Sequence, residues 1–361
     1  SCFLCVVEIE GQNRLFPSCS TKVAEGMVIQ TRSERVKKSR KTCLELLLSD
    51  HYADCFGPCR LNCPADIDIQ GYMSLINLGE FKEAVKLIKE KNPLPSVCGR
   101  VCTRKCELNC RRNMIDSPVG IDFLKRYAAD QDMIGEMWQP DTKPDNGVPV
   151  AIIGGGPAGL TAAYYLVIEG YRPTIFEALP AMGGMLRYGI PEYRLPKAVL
   201  DKEVNWITNL GVDVKLGTAL GRDFTMDDLF QQGYKAVFVG LGAQVGKPMH
   251  VGNETAEGVM TGVEFLRQVE MKTNPEIKGR VVVVGGGNTA IDAARTSLRL
   301  GADEVVLLYR RTRKEMPAND VEIEAAIEEG VKMEFLAAPA SVNVGDDGRA
   351  ESMTCIRMEL G

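Results

Sequence analysis

Apolar and polar positions change rhythm three times along the chain. Residues 1–32 come as short runs, CVVEIEG, LFPSCST and GMVIQT, which read as short strands. Residues 33–135 shift to apolar positions at three and four spacing. The pattern is clearest in KSRKTCLELLLSD and FKEAVKLIKEKN, and it predicts helices. WQPDTKPDNGVP (138–149) is rich in Pro, Asp and Gly and reads as a linker. From Val150 an apolar strand, a glycine turn and a helix follow in VPVAIIGGGPAGLTAAYYLVIEGYRPTIFEA. The same grammar returns at Arg280, in RVVVVGGGNTAIDAARTSLRLGADEVVLLYRR. Two such starts predict two nucleotide-binding α/β domains.

Length and composition set outer limits. The chain has 361 residues, enough for two or three domains with a sizeable core. Its 45% hydrophobic and 25% charged content is ordinary for a globular protein. A net charge of −5 makes no general case for nucleic acid. No apolar run reaches the roughly eighteen residues of a membrane helix, and no signal peptide is visible. The chain begins Ser1-Cys2 without a methionine, and its start is expected to be cut. Cysteine usage changes the picture more. Eleven of twelve cysteines lie in residues 1–110, and Cys355 stands alone. Beside long α/β sequence this reads as cytoplasmic, and clustered thiols in a reducing compartment point to metal or cluster ligands rather than disulfides.

The first glycine turn is Gly154-x-Gly156-x-x-Gly159. Its glycines allow the tight turn, the approach of backbone to a pyrophosphate, and close strand–helix packing. The phosphate would lie on the helix N-terminus. Glu177, 23 residues after Gly154, ends the next strand, where an acid holds ribose hydroxyls. The second turn is Gly285-x-Gly287-x-x-Ala290, and its following strand ends in Tyr309-Arg310-Arg311 without a carboxylate. Two guanidiniums there suit a ribose 2′-phosphate, which favours NADP(H) over NAD(H). The competing reading is that both arginines are simply solvated.

GGMLRYGIPEYRLPK after Glu177 and YRRTRKEMPA after the second turn resemble the small subunit of glutamate synthase. The same module occurs in dihydropyrimidine dehydrogenase and in NADH-dependent ferredoxin:NADP oxidoreductases. The matched motifs run from about residue 55 to 320. The resemblance implies FAD on the first turn and NAD(P)H on the second. It also implies that Gly184, Met185 and Arg194 line the FAD site, and that Asn288 and Thr289 belong to the pyridine-nucleotide turn. The family's chain later returns to complete its FAD domain. This sequence ends at Gly361 first, so the chain is expected to be a fragment at both ends, or to have its remainder disordered or cut away.

Two cysteine blocks precede these domains. The first sets His51, Cys55, Cys59 and Cys63 four residues apart, and the second sets Cys98, Cys102, Cys106 and Cys110. Zinc could use such ligands, but zinc fingers favour separated pairs. Iron–sulfur proteins use runs of this kind, in which one ligand serves the other cluster. The family resemblance implies two 4Fe-4S clusters, with Cys59, Cys63, Cys106 and Cys110 on one and Cys55 and Cys102 on the other. The family then places a Glu or Gln seven residues after the proline of a Pro-Val-x-Ile segment. Here that position, counted from Pro118, is Lys125. His51 and Cys98 are the expected replacements, since LELLLSDHYADC resembles the His-led cluster segment of the large iron–sulfur subunit of complex I. The competing readings are a surface histidine and a plain buried thiol. Cys2, Cys5 and Cys19 resemble the 2Fe-2S domain of that subunit and of iron-only hydrogenases, with a fourth ligand expected outside this chain. Cys43 reads as core. Cys355 and His250 have no partner pattern.

These features predict a multi-domain chain: a 2Fe-2S ferredoxin-like fragment (1–32), an α-helical domain binding two 4Fe-4S clusters (33–138), and two Rossmann-like α/β domains. The latter are an FAD-binding first part (147–250) and a truncated NAD(P)H-binding domain (251–361). The implied function is a diaphorase-type subunit passing electrons between NAD(P)H, FAD, the 4Fe-4S clusters, the 2Fe-2S cluster and a partner, in either direction, with electron bifurcation a further option. Formate dehydrogenase, hydrogenase or a ferredoxin-linked module would suit as partner. The cofactors carry the chemistry, so no catalytic side chain is expected. The alternatives are the glutamate synthase small subunit itself and a zinc-stapled nucleotide-binding regulator.

Overall fold

The short runs at the start pair with one another because none can satisfy its backbone alone. Val6–Ile9 lies between Leu15–Pro17 and Ile29–Gln30, antiparallel to both. The helix Glu34–Ser49 follows, and Arg40 donates to the Val6 carbonyl at 2.7 Å. Val36 is this helix's buried residue, and Cys43, expected in a core, is half-buried. The computed structural model describes residues 2–49, 56–273 and 277–360. Its chain divides into two units, residues 1–61 and 62–361.

The second unit opens with helices Ile69–Asn77, Phe81–Lys89, Pro95–Val101, Lys105–Leu108 and Ile121–Asp132. Asp68 caps the first, accepting from the Gly71 N–H at 3.0 Å. The Phe81–Lys89 helix buries Ala84, Val85 and Ile88, the stripe that three-and-four spacing predicts. Gly99 lets Pro95–Val101 lie close on Ile121–Asp132, since a Cβ there would stand 2.6 Å from the Arg126 Cβ.

The first α/β layer is a four-stranded parallel sheet. Pro149–Ile153 lies between Arg172–Phe176 and Ala236–Val239, with Asp213–Lys215 outside Arg172–Phe176. Its central strand is apolar throughout because both faces are covered. Ile152 points into a core with Leu160, Ala163, Leu200 and Ile207, while Ala151 and Ile153 face Phe176, Phe224 and Leu229. Leu94 and Val97 of the helical region enter the Ile152 core. Thus the cysteine-bearing helix and the nucleotide-type sheet share one interior.

The second sheet orders Lys332–Phe335, Glu304–Tyr309 and Arg280–Val284, all parallel. Ile291 and Ala294 of helix Asn288–Arg299 pack with Val305, Leu307, Ile323 and Ala326. An antiparallel hairpin, Ala337–Val344 with Ala350–Arg357, follows. Among the described residues no helix is long and apolar enough to cross a membrane.

Candidate functional site

The first glycine turn is built by close approach. A Cβ on Gly159 would stand 1.9 Å from the Gly154 carbonyl oxygen, and one on Gly154 would stand 2.3 Å from that of Gly240. Gly154 also has φ +105°, where side chains are strained. Glu177 is buried beside the turn. One carboxylate oxygen accepts from the Gly155 N–H at 2.6 Å and the other from the Leu179 N–H at 2.8 Å. Each oxygen keeps a second lone pair for a hydroxyl donor. The cleft above holds about 420 Å³ and is lined by Gly154, Gly156, Glu177, Gly184 and Met185. Gly159 packs beneath it. This cradle fits the pyrophosphate and ribose of a dinucleotide such as FAD.

Other lining residues were not singled out from sequence: Thr218, Gln244, Arg267 and the Gly240-Leu241-Gly242 turn. The last had a local signal, since KAVFVGLG is another apolar strand running into glycines. Arg267 had none, because it arrives from helix Gly262–Glu270.

Arg194 lies elsewhere. It is absent from the cleft lining, and its guanidinium spans Asp292 (2.6 Å) and Glu322 on the helices behind the second sheet. Burial raises the Asp292 carboxyl to about 6 despite the pull of Arg194.

The second turn has a looser build. Gly287 caps helix Asn288–Arg299, and Gly286 lies against the Tyr309 ring, where a Cβ would stand 2.6 Å from the ring edge. The Asn288 side-chain oxygen accepts from the Asn319 N–H at 3.0 Å. Thr289 and Ala290 form the first helical turn. Arg310 and Arg311 are exposed past the strand end, and no ion pair among the described residues involves either. Their donors therefore remain open to an anionic group on the nucleotide.

Cys98 is on helix Pro95–Val101, Cys102 caps it, Cys106 is on Lys105–Leu108, and Cys110 precedes the turn Arg111–Met114. Burial pushes the Cys98 thiol up to about 11 and the Cys106 thiol to about 12. Cys102 Sγ accepts from the Arg104 N–H at 3.4 Å. Lys125 is buried with its ammonium 2.8 Å from Asp122. Burial opposes its charge, but Asp122 and the nearby Cys98 and Cys102 thiols raise its pKa above the ordinary lysine value. An amine that holds its proton has no lone pair to offer iron.

Cys59 lies on the short helix Pro58–Leu61, and Cys63 is half-buried just after it. His51 and Cys55 lie outside the described residues. In the amino-terminal unit Cys5 and Cys19 place their sulfurs 3.4 Å apart, and hydrogen bonding from Cys19 lowers the Cys5 thiol to about 7. Cys2 is exposed. No disulfide forms among the described cysteines. Among the described residues, no three His, Cys, Asp or Glu side chains are grouped to hold a single metal ion. A 4Fe-4S cube needs no such point, because its thiolates bind separate irons. The described thiols of the two blocks are soft donors, half-buried apart from the buried Cys106, and fit that group.

A parallel sheet carrying a dinucleotide cradle, a second strand–turn–helix unit, and a cysteine-rich helical layer packed into the same core define an oxidoreductase of the flavin and iron–sulfur class. Residues 148–357 match the family model for pyridine nucleotide-disulphide oxidoreductases. Residues 24–137 match that for dihydropyrimidine dehydrogenase domain II, 4Fe-4S cluster, and residues 1–34 that for the 2Fe-2S iron-sulfur cluster binding domain. The small chain of glutamate synthase [NADPH] from Escherichia coli K12 is 38% identical over 330 residues, covering 87% of this chain and 69% of its own. This chain belongs to the pyridine nucleotide-disulphide oxidoreductase family, in its glutamate synthase small-chain-like group.

NADPH-Fe(3+) oxidoreductase subunit beta of Geobacter sulfurreducens is 46% identical over 310 residues. The NADP(+)-dependent formate dehydrogenase subunit beta of Moorella thermoacetica is 44% identical over 329. Each match covers 84% of this chain but 46% of the relative, so the chain spans about half the length of these proteins. A solved structure of a histidine-to-glutamine variant of FprA from Mycobacterium tuberculosis shares the fold, with a TM-score of 0.51 at 18% identity over 60% of this chain and 64% of that one.

Proposed function

We propose that this chain is the NADP(H)-linked electron-transfer part of a multi-subunit oxidoreductase, joining NADP(H), FAD, two 4Fe-4S clusters and one 2Fe-2S cluster. The observation that carries the proposal is the shared core: Leu94 and Val97, on and beside the cysteine helix, pack with Ile152 and Leu160 of the first glycine-turn unit. A flavin in the cradle would then lie in the same compact unit as the cysteine-bearing helix. When bound, the flavin accepts a hydride from the reduced nicotinamide, and the clusters carry the electrons singly. The chain's own residues bind and orient. Gly154, Gly156 and Gly159 bring backbone against the pyrophosphate, and Glu177 accepts from ribose hydroxyls. Gly184 and Met185 line the same cleft. Gly285, Gly287, Asn288, Thr289 and Ala290 receive the second nucleotide, and Arg310 and Arg311 take its 2′-phosphate. Cys98, Cys102, Cys106 and Cys110, with the first block, hold the 4Fe-4S clusters, and Cys2, Cys5 and Cys19 hold the 2Fe-2S cluster. Clustered cysteines without a disulfide among the described residues favour a reducing cytoplasm. The partner is another subunit such as a formate dehydrogenase module, in keeping with the subunit names of the relatives.

The test is the iron, acid-labile sulfide, zinc and flavin content of the anaerobically purified full-length protein. About eight to ten irons with matching sulfide per flavin is the expected result. Zinc with little sulfide would leave the cysteine blocks as staples and end the electron-transfer proposal.

A further inference from the structure

Glu203 is fully buried on helix Lys197–Thr208, which packs beside the cradle. Its carboxylate reaches across to the start of the cysteine helix. One oxygen accepts from the Ser96 N–H at 2.7 Å and the other from the Val97 N–H at 2.9 Å. These two N–H groups open a helix and have no partner within it. Cys98 is the next residue along. The contact spans more than a hundred residues of sequence and joins the layer that carries the first glycine turn to the layer that carries the thiols.

A buried cation completes the arrangement. The Lys89 ammonium, 1% exposed, lies 3.5 Å from the Asp132 carboxylate and 3.5 Å from the centre of the Trp206 ring. Trp206 shares the Glu203 helix and donates from its indole N–H to the Trp138 carbonyl at 2.9 Å. Asp132 accepts from the Trp138 N–H at 2.9 Å. On the outer side Arg100 clasps Asp130 at 2.9 and 3.0 Å and also donates to the Ser96 hydroxyl and carbonyl. An apolar contact would have sufficed to join two layers. Burying a carboxylate and an ammonium is costly unless the geometry is held, and a bidentate carboxylate on two amides allows one register only.

We propose that Glu203 is a positioning residue: it fixes the cysteine helix Pro95–Val101 in register on the flavin-side helix, and so sets the path from flavin to the nearest 4Fe-4S cluster. The inference rests on the proposed flavin-to-cluster route. Its structural half does not.

Two readouts separate them. Hydrogen exchange on the full-length protein reports the amides of residues 96–98. In Glu203→Ala they lose protection while the strand Pro149–Ile153 keeps its own. Unchanged protection overturns the latch. Anaerobic stopped-flow mixing with NADPH follows flavin bleaching and cluster bleaching separately. In Glu203→Ala, with iron and sulfide retained, flavin bleaching stays near the native rate and cluster bleaching slows about tenfold or more, as expected for a small displacement of reacting centres. Glu203→Gln keeps one acceptor but sets its amide NH2 against the second N–H, so it restores only part of the cluster rate. Equal slowing of both phases, or no slowing of either, overturns the positioning role. Native protein that bleaches flavin but no cluster would overturn the electron route while leaving the exchange result to decide the latch.

Discussion

At the first glycine turn the strand Pro149–Ile153 has its last four residues buried, and the following helix buries Leu160 and Ala163 completely. At the second, strand Arg280–Val284 is an edge, with Val282 40% exposed. Its helix leans on charge: Asp292 on Arg194, and Arg295 and Arg299 on Glu329, each at 2.6 Å. One turn has a buried acid, and the other ends its strand in exposed arginines. The same sequence grammar thus yields a rigid cradle suited to a resident cofactor and a more open, electrostatic one suited to a nucleotide that comes and goes.

The sharpest break of this contrast is Gly159→Val. Its Cβ would have to displace the Gly154 carbonyl, so the variant should lose flavin almost entirely and roughly 2–3 kcal/mol of stability. Ala290→Gly at the matching place in the second turn should cost about 1 kcal/mol and leave flavin content unchanged. Flavin-to-protein ratio and thermal midpoint check both. Next in size, replacing Arg310 and Arg311 together by Ser should raise the KM for NADPH about a hundredfold, some 2.7 kcal/mol for two charge-assisted contacts. The KM for NADH should change little. Equal losses would remove the 2′-phosphate assignment.

Lys125→Met tests the cysteine layer. Without the cation, the reduced form of the adjacent cluster is less favoured. Its potential should fall by on the order of 59 mV, a tenfold change for one electron, with iron content retained. An EPR-monitored redox titration would show it. The smallest effect concerns Glu329. Arg295 and Arg299 hold its carboxyl down to about 2, below its unfolded value near 4.3. The folded state therefore binds fewer protons between these values. The stabilisation is present above about pH 4 and is lost as pH falls through about 2. Glu329→Gln should be less stable than the parent by about 1 kcal/mol at neutral pH, allowing for partial exposure. The gap in thermal midpoint should close near pH 2.

Much of the architecture was legible. VAII and VVVV have no polar member, and each runs into glycines that end a strand; the cover on both sides that such runs lead one to expect is found for VAII, whereas no valine of Arg280–Val284 is buried. The alternation at the start and the FKEAVKLIKE stripe likewise declare their elements. Cleft residues near a motif, such as Gly184 and Met185, could be approached through resemblance. Arg194 came from the same motif, and the fold sets the buried Asp292 and the half-buried Glu322 within its reach. Arg267, Glu203 and Lys89 were invisible in the sequence. Each is an ordinary charged residue on a helix, and only tertiary packing brings Arg267 to the cleft and buries Glu203 and Lys89.

The sequence by itself determined the element types, the two turns and the ligand chemistry of the cysteine blocks. Those depend on side-chain period, on φ at glycine and on sulfur's affinity for metal, all local properties. The tertiary structure decided which charges face each other: Arg194 with Asp292, Lys125 with Asp122, Glu203 with the amides of Ser96 and Val97. A charge is costly to bury without a partner, and the partner is supplied by whatever element the packing brings alongside.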